Sequence, residues 1–306
     1  MKRVLVTGAT GFIGRHTLAL LGTAGYEVHG VSSQPRAATH DGVEWHRADL
    51  LDIQRVNELM QSVRPSHLLH LAWVTKHGEY PASVENLNWV QTTIELMRGF
   101  SSCGGQRIAF AGTCFEYDFA YGCLSEELTP AVPATLYGNS KLAVGKILQS
   151  FANTSGLSAA WGRIFHLFGP SEDPRRFVPS IILPLMNRER AVCRNGDQLR
   201  DFLYVEDVAS AFVALLESHV SGPVNIGSGK PIWLGDLATK IACHMGLPDL
   251  VDIRMSDGLA ENSIMVPNVK KLREAVGWRA AFPLETGIEK TIQWWEAKHA
   301  ISTERD

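Results

Sequence analysis

The sequence predicts an α/β fold: a doubly wound parallel sheet with a smaller C-terminal lobe. Three observations carry that expectation. Short, β-branched apolar runs alternate with longer amphipathic stretches, a glycine-rich turn follows the first run, and the alternation breaks after about residue 165. Val4–Val6 reads as a strand, and Phe12–Leu21 as the helix after it. Tyr26–Val31, His67–Ala72 and Arg107–Ala111 read as further strands, with helical patterns at Ile53–Val63 and Val84–Phe100 between them. Strands separated by helices imply βαβ units, right-handed crossovers and a sheet covered on both faces.

Beyond Phe165 the breakers Gly169-Pro170, Pro174 and Pro179 interrupt the pattern, and residues 230–306 read as helices with few continuous strand runs. The expected division is a dinucleotide-binding segment over 1–165, rejoined at about 202–227, and a substrate-binding lobe over 166–201 and 228–306. Internal repeats and low-complexity tracts are absent from the sequence.

The chain has 306 residues, 45% of them hydrophobic, enough for a large core. A net charge of -3 makes nucleic acid an unexpected partner. The first apolar stretch is too short for a signal-peptide core, and no apolar run reaches the roughly 18 residues of a membrane span. The five cysteines, Cys103, Cys114, Cys123, Cys193 and Cys243, form no C-x-x-C pair. Neither a disulfide framework nor a metal site is expected, and a reduced cytoplasm fits.

The glycine turn is Thr7-Gly8-Ala9-Thr10-Gly11-Phe12-Ile13-Gly14, between the first strand and the first helix. Gly8 permits the tight turn, Gly11 lets backbone approach a pyrophosphate, and Gly14 lets helix and strand pack closely. Thr10, Phe12 and Ile13 complete the loop, so phosphates would meet free N–H groups at a helix N-terminus. This is a Rossmann-type signature. A site that prefers NAD usually carries an acid about 20 residues on, at the end of the second strand. Here the stretch between Glu27 and Asp41 has none and offers Ser32, Ser33 and Arg36 instead. Small hydroxyls and Arg36, with Arg15 as a second cation, suit a 2′-phosphate, so NADP(H) is expected over NAD(H). Solvated surface charge is the competing reading of both arginines. Asp49 follows a third short strand and is open to two readings, a contact to the adenine or a helix N-cap.

Tyr137 and Lys141 stand four residues apart on a predicted helix and share one face. The strand before that helix ends at Gly112-Thr113, where a hydroxyl can face a cleft. Hydride transfer to a ketone needs a proton donor, and a tyrosine near pKa 10 is a poor one at neutral pH. A neighbouring ammonium stabilises the phenolate, so Tyr137 with Lys141, and Thr113 orienting the substrate oxygen, read as the catalytic group. The bland alternative is a half-buried tyrosine beside a solvated lysine.

Together these residues resemble the extended short-chain dehydrogenase/reductases, the family of NAD-dependent sugar epimerases and dehydratases. The likeness runs through TGATGFIG at 7–14, HLAW at 70–73, Asn88 in NLNWVQTT, the Thr113, Tyr137 and Lys141 triad, GRIFHLFGP at 162–170, RDFLYVEDVA at 200–209 and NVKKLREAVGW at 268–278. It departs at His166, where asparagine is common, and at Asn268, where aspartate is usual. The resemblance implies a dinucleotide lined by Leu50, Leu71, Ala72 and Trp73 as well as the turn. It implies a nucleotide-diphosphate sugar between the lobes, and a homodimer through helices near 84–100 and 136–153. Thr75, Thr113, His166 and Arg200 are the expected substrate contacts. For Arg200 the competing reading is a surface pair with Asp201 or Asp197, for His166 a packed core position, and for Trp73 plain packing.

Family 4,6-dehydratases place Asp-Glu directly after the threonine. Here Cys114-Phe115 follow, and Glu116 comes one residue late. Dehydration is therefore not expected. With a site shaped for NADP, the expectation is NADPH-dependent reduction of the keto group of a nucleotide-diphosphate 4-keto-6-deoxy sugar. The alternatives are an NAD-dependent nucleotide-sugar 4-epimerase, a silent NADP(H)-binding regulator and a reductase of steroid- or flavonoid-type ketones.

Overall fold

A computed structural model describes residues 2–34, 42–256 and 263–303, the last three by backbone alone. In chain order the elements are β1 (Lys2–Thr7), α1 (Gly14–Thr23), β2 (Tyr26–Ser32), β3 (Val43–Arg47), α2 (Ile53–Val63), β4 (His67–His70), α3 (Glu85–Ser102) and β5 (Arg107–Thr113). Then come β6 (Cys123–Leu124), α4 (Leu136–Ser155), β7 (Ser158–Ile164), β8 (His166–Phe168), α5 (Phe177–Met186), β9 (Ala191–Cys193), β10 (Leu199–Tyr204), α6 (Val205–Glu217) and β11 (Gly222–Ile226). The last elements are β12 (Pro231–Trp233), α7 (Leu234–His244), β13 (Val251–Ile253), β14 (Ile264–Pro267), α8 (Lys270–Glu274) and α9 (Leu284–Thr303).

Seven strands form one sheet in the order β11-β7-β5-β4-β1-β2-β3. Every pairing in it is parallel. The period of two explains how each strand serves two cores. Val4 and Val6 point into the layer under α1 and α6, with Leu18, Phe212 and Leu215. Leu5, between them, points into the layer under α2, α3 and α4, with Met60, Phe100 and Leu148. All three strand residues are fully buried, at about 1.5–3 kcal/mol each by transfer from water. At the sheet's N-terminal edge, Arg107 is buried and donates to the Leu215, Leu216 and Val220 carbonyls at and beyond the end of α6. It thus places a cation where the helix dipole is negative.

A second sheet runs β12-β10-β14-β6, with β8 also paired to β10, and β9 pairs with β13. Its core is Ile181, Ile182, Leu185, Leu237, Ile241, Ile288 and Trp295, gathered from α5, α7 and α9. The C-terminal region thus holds more strand than its sequence suggests. Strands of three or four residues are too short to show a period.

Element ends shift by a few residues. The first helix begins at Gly14 rather than Phe12, because residues 8–13 are spent on the turn. The strand expected over His67–Ala72 stops at His70, although Leu71 N still donates to Thr7 O at 3.2 Å.

Candidate active site

In the large sheet the chain order reverses at β1, which lies between β2 and β4. Crossovers leave β1 and β4 in opposite directions, so a crevice opens at their C-terminal ends. A cleft of about 680 Å³ lies there. One wall is the turn after β1. Gly8 adopts φ 68°, and a Cβ on it would lie 2.8 Å from Ala72 N. A Cβ on Gly14 would lie 2.1 Å from Gly8 O. Both positions therefore admit glycine alone without backbone movement. Ile13, the N-cap of α1, offers no side-chain cap. Arg15 N and His16 N bond to Gly11 O and Ile13 O, so a dinucleotide pyrophosphate would meet the uncapped positive end of the helix at Phe12–Gly14.

Thr10, Gly11, Phe12 and Ile13 line this wall, and Leu71, Ala72 and Trp73 line the facing loop. Other expected cofactor contacts are placed elsewhere. Ser32, Ser33, Asp49 and Leu50 do not line the cleft. The Ser32 hydroxyl accepts from Gln34 N at 3.2 Å and donates to Gln34 O at 3.0 Å. Ser33 is exposed, and Leu50 is buried in the core. Asp49 accepts from Leu51 N at 3.0 Å, a turn of its own, while Asp52 is the cap of α2. Arg15 donates to Gly11 O and Thr10 O at 3.0 and 3.1 Å, which draws its guanidinium onto the turn. Arg36 lies outside the described residues.

Thr113 ends β5, and both it and Tyr137 line the cleft. Thr135 caps α4 by accepting from Gly138 N, and Tyr137 N donates to Pro81 O at 3.1 Å. These bonds fix the start of the helix that carries the phenol. Burial holds the Tyr137 hydroxyl above its ordinary value, opposed by a hydrogen bond from Thr113. Lys141 lies one turn on but does not line the cleft. Its Nζ donates to Ala111 O at 2.8 Å and sits 3.7 Å from the centre of the Trp73 ring. Burial brings its pKa down to about 7, against the pull of Glu116. Burial, rather than Lys141, dominates the pKa of the Tyr137 phenol here. The ammonium is itself desolvated and committed to a carbonyl and a ring face.

Glu116 is fully buried. Its Oε1 accepts from Thr113 N and Trp161 Nε1, both at 2.8 Å, and its Oε2 from Arg163 Nε at 2.8 Å. Both residues are therefore structural, and Arg163 also covers the Tyr117 ring at 4.3 Å. The two positions before Glu116 line the cleft as a thiol and a ring. Burial pushes the Cys114 thiol up to about 12. Phe115 packs against Tyr137 and Tyr80.

The opposite wall comes from β8, β10 and the loop before α5. His166 lines it, stacked on Phe202 at 5.5 Å, and burial lowers its pKa to about 3. Thr75 is on the cleft rim, where Arg176 Nη2 donates to its carbonyl at 3.4 Å. Arg200 does not line the cleft. It donates to Leu199 O, Ser263 O and Gln198 Oε1. Asp201 instead accepts from Ser228 and Lys230, and Asp197 from Ser256, so neither expected surface pair forms.

Glu172, Arg176 and Phe177 also line this wall, and no motif in the sequence points to them. They sit in the proline-broken stretch that reads only as a lobe boundary. Tyr80, on the facing loop, makes an edge contact to Tyr137 at 4.8 Å. Asn88 is exposed; the buried asparagine of α3 is Asn86, which accepts from Trp73 Nε1 at 2.8 Å and donates to Tyr80 O. One group among the described residues could hold a metal: His29, Glu44 and His46, on β2 and β3. Its two imidazoles already bond one another at 2.8 Å, with Glu27 on the other nitrogen of His29.

No helix among the described residues is long and apolar enough to cross a membrane. The chain is 28% identical to a probable dTDP-glucose 4,6-dehydratase of Sinorhizobium fredii, over 96% of this chain and 92% of that one. It is 27% identical to CDP-abequose synthase of Salmonella typhimurium, over 95% and 97%. Among solved structures it matches the UDP-glucose 4-epimerase of Thermus thermophilus in complex with NAD. That match has a TM-score of 0.80 and 26% identity, and covers 96% of this chain and 99% of that one. Residues 4–227, which carry the glycine turn and Thr113, Tyr137 and Lys141, match the profile of one family, and the chain belongs to it: the NAD dependent epimerase/dehydratase family.

Proposed function

We propose that the protein reduces the keto group of a nucleotide-diphosphate 4-keto-6-deoxy sugar, with Tyr137 as proton donor. One observation carries this reading. Tyr137 stands in the cleft beside Thr113, and the positions where elimination would need an acid-base pair are a thiol held near pKa 12 and a phenyl ring. The carboxylate that follows them, Glu116, is spent on Thr113 N, Trp161 and Arg163. A site that moves one proton suits carbonyl reduction and does not suit loss of water.

A bound nicotinamide dinucleotide would supply the hydride. Gly8, Gly11 and the N-terminus of α1 would hold its pyrophosphate, and Leu71, Ala72 and Trp73 would cover it. Thr113 donates a hydrogen bond that orients the oxygen, Tyr137 gives the proton, and Phe115 and Tyr80 keep water from the phenol. After Tyr137 has given its proton to the sugar oxygen, Lys141, with its pKa brought down to about 7, would return a proton to the phenolate through a small movement off Ala111 O. The proposed cofactor is NADPH, on the acid-free end of β2. Against it stand the family's description as NAD dependent and the turn-bound guanidinium of Arg15. A kcat/KM for NADPH at least about tenfold that for NADH supports the phosphorylated form, and a ratio below one removes it. The reading includes a lobe division at 165, 202 and 228. It also includes a homodimer through α3 and α4, on which Leu87 and Ile147 are exposed.

The test is oxidation of NADPH and of NADH with dTDP-, CDP-, GDP- and UDP-linked 4-keto-6-deoxyhexoses. Tyr137→Phe is expected to lower kcat by about 10²–10⁴-fold with dinucleotide binding kept. A second reading, the 4-epimerase, is favoured by the likeness to an epimerase solved with NAD. It predicts protein purified with oxidised cofactor that interconverts UDP-hexoses with no reductant added.

A further inference from the structure

The far wall of the cleft carries two polar side chains that each have one buried atom without a partner among the described residues. These atoms are His166 Nε2 and Glu172 Oε2, and both residues line the cleft. Glu172 is only 8% exposed. Leaving a buried donor or acceptor unmade costs about 1–3 kcal/mol, so such a group in a native wall calls for an explanation.

The surroundings define what could complete the pair. Arg176 is the charged neighbour common to both, Asp173 adds to the field at Glu172, and Arg200 to that at His166. Arg176 also lies 5.4 Å from the Tyr80 ring, which in turn meets Tyr137. The wall is therefore contiguous with the proton donor. Burial holds the Glu172 carboxyl up at about 8 and the His166 imidazole down at about 3, so both are neutral at pH 7. A neutral carboxyl and a neutral imidazole each offer one donor and one acceptor. Such a pair carries no charge to hold a phosphate or an ammonium. It matches alcohol groups, each of which also donates once and accepts.

We propose that Glu172, with His166 on the same wall, recognises hydroxyl groups of the hexose ring and sets which sugar the cleft accepts. This rests on the nucleotide-sugar reading. Glu172 is a binding residue here, with no part in the proton transfer.

The test is calorimetric titration of wild type, Glu172→Ala and Glu172→Gln with UDP-, dTDP-, CDP- and GDP-glucose and with each matching nucleoside diphosphate. Wild type is expected to bind at least one nucleotide hexose more tightly than its diphosphate. In Glu172→Ala that sugar-dependent gain falls by about tenfold or more, with the diphosphate affinity unchanged. In Glu172→Gln, which keeps one donor and one acceptor in the same place, the gain survives. A gain that survives in Glu172→Ala overturns the role of Glu172 and leaves the nucleotide-sugar reading standing. A gain lost in both variants overturns the neutral-hydroxyl chemistry, because the carboxylate would then be the binding form. If wild type binds neither the four nucleotide hexoses nor their diphosphates, the nucleotide-sugar reading falls and this inference with it; if it binds the diphosphates with no gain from any hexose, this inference alone falls. Should Glu172→Ala not fold, Glu172→Leu carries the same comparison.

Discussion

The two walls of the cleft are made of different material. The wall at β1 and β4 is backbone: Gly8, Gly11 and Gly14, the loop at Leu71–Trp73, and the open end of α1. The wall at β8 and the loop before α5 is side chain: His166, Phe202, Glu172 and Arg176. A backbone wall presents the same N–H groups whatever the neighbours are, so it suits a constant ligand. A side-chain wall is rewritten by single substitutions and suits a variable one. Between them Thr113 and Tyr137 are held by bonds to backbone and to Glu116.

This contrast can be tested at four points, from strong to weak. Glu116→Gln leaves Arg163 buried beside an uncharged partner, and breaking such a pair costs about 3–5 kcal/mol. Urea unfolding should show the loss. A change below ~1 kcal/mol would mean that Glu116 does not hold Thr113 through stability. Gly14→Ala drives a Cβ into Gly8 O and should weaken dinucleotide binding by about 100-fold, ~2.7 kcal/mol, with the far wall untouched. Sugar-nucleotide binding that falls as much would show the walls to be coupled.

The third point is a pH dependence. Folded Glu172 keeps its proton up to about pH 8, while the unfolded chain releases it near 4.5. The folded state thus binds more protons in that window, and wild type loses stability relative to Glu172→Gln as pH rises through it. The slope is at most about 1.4 kcal/mol per pH unit, and relaxation around the carboxyl should leave ~1–2 kcal/mol in all. Parallel unfolding curves for the two proteins from about pH 5 to pH 8 would rule the shift out. The smallest effect is expected of Asp49→Ala, an exposed turn residue whose carboxylate serves Leu51 N: below about 0.5 kcal/mol in stability and no change in dinucleotide affinity. A measurable loss of affinity would restore Asp49 to the adenine site.

The same contrast explains what can be read from the sequence. The glycine turn is legible because its spacing encodes backbone geometry within eight residues, and Tyr137 with Lys141 because one helical turn relates them. Ser32, Asp49 and Arg15 look like ligand groups in one dimension, yet each makes a bond within its own turn. Asn88 resembles the helix asparagine of the family, yet Asn86 is the buried one, since helix phase decides which turns inward and a sequence leaves the start of α3 open by a residue or two. Glu172 and Arg176 fall in a stretch that proline marks as irregular, where no period announces which side chain turns inward. Lys141 is visible in the sequence, but its engagement with Ala111 and Trp73 depends on β5 and on the loop after β4, which no local pattern reveals.

The pairing of β6 with β14 has a consequence for dissecting the molecule. Cys123–Leu124 finds its strand partner some 140 residues later, at Val266–Pro267, beyond the last residue of the family match. A fragment ending at 227 would therefore strand one ribbon and strip the covers from Ile181 and Ile182. Contacts so distant along the chain also make for slow assembly. Closure of the second sheet must wait until Val266–Pro267 have been made, and heterologous truncations before them should collect as aggregates rather than as a smaller working enzyme.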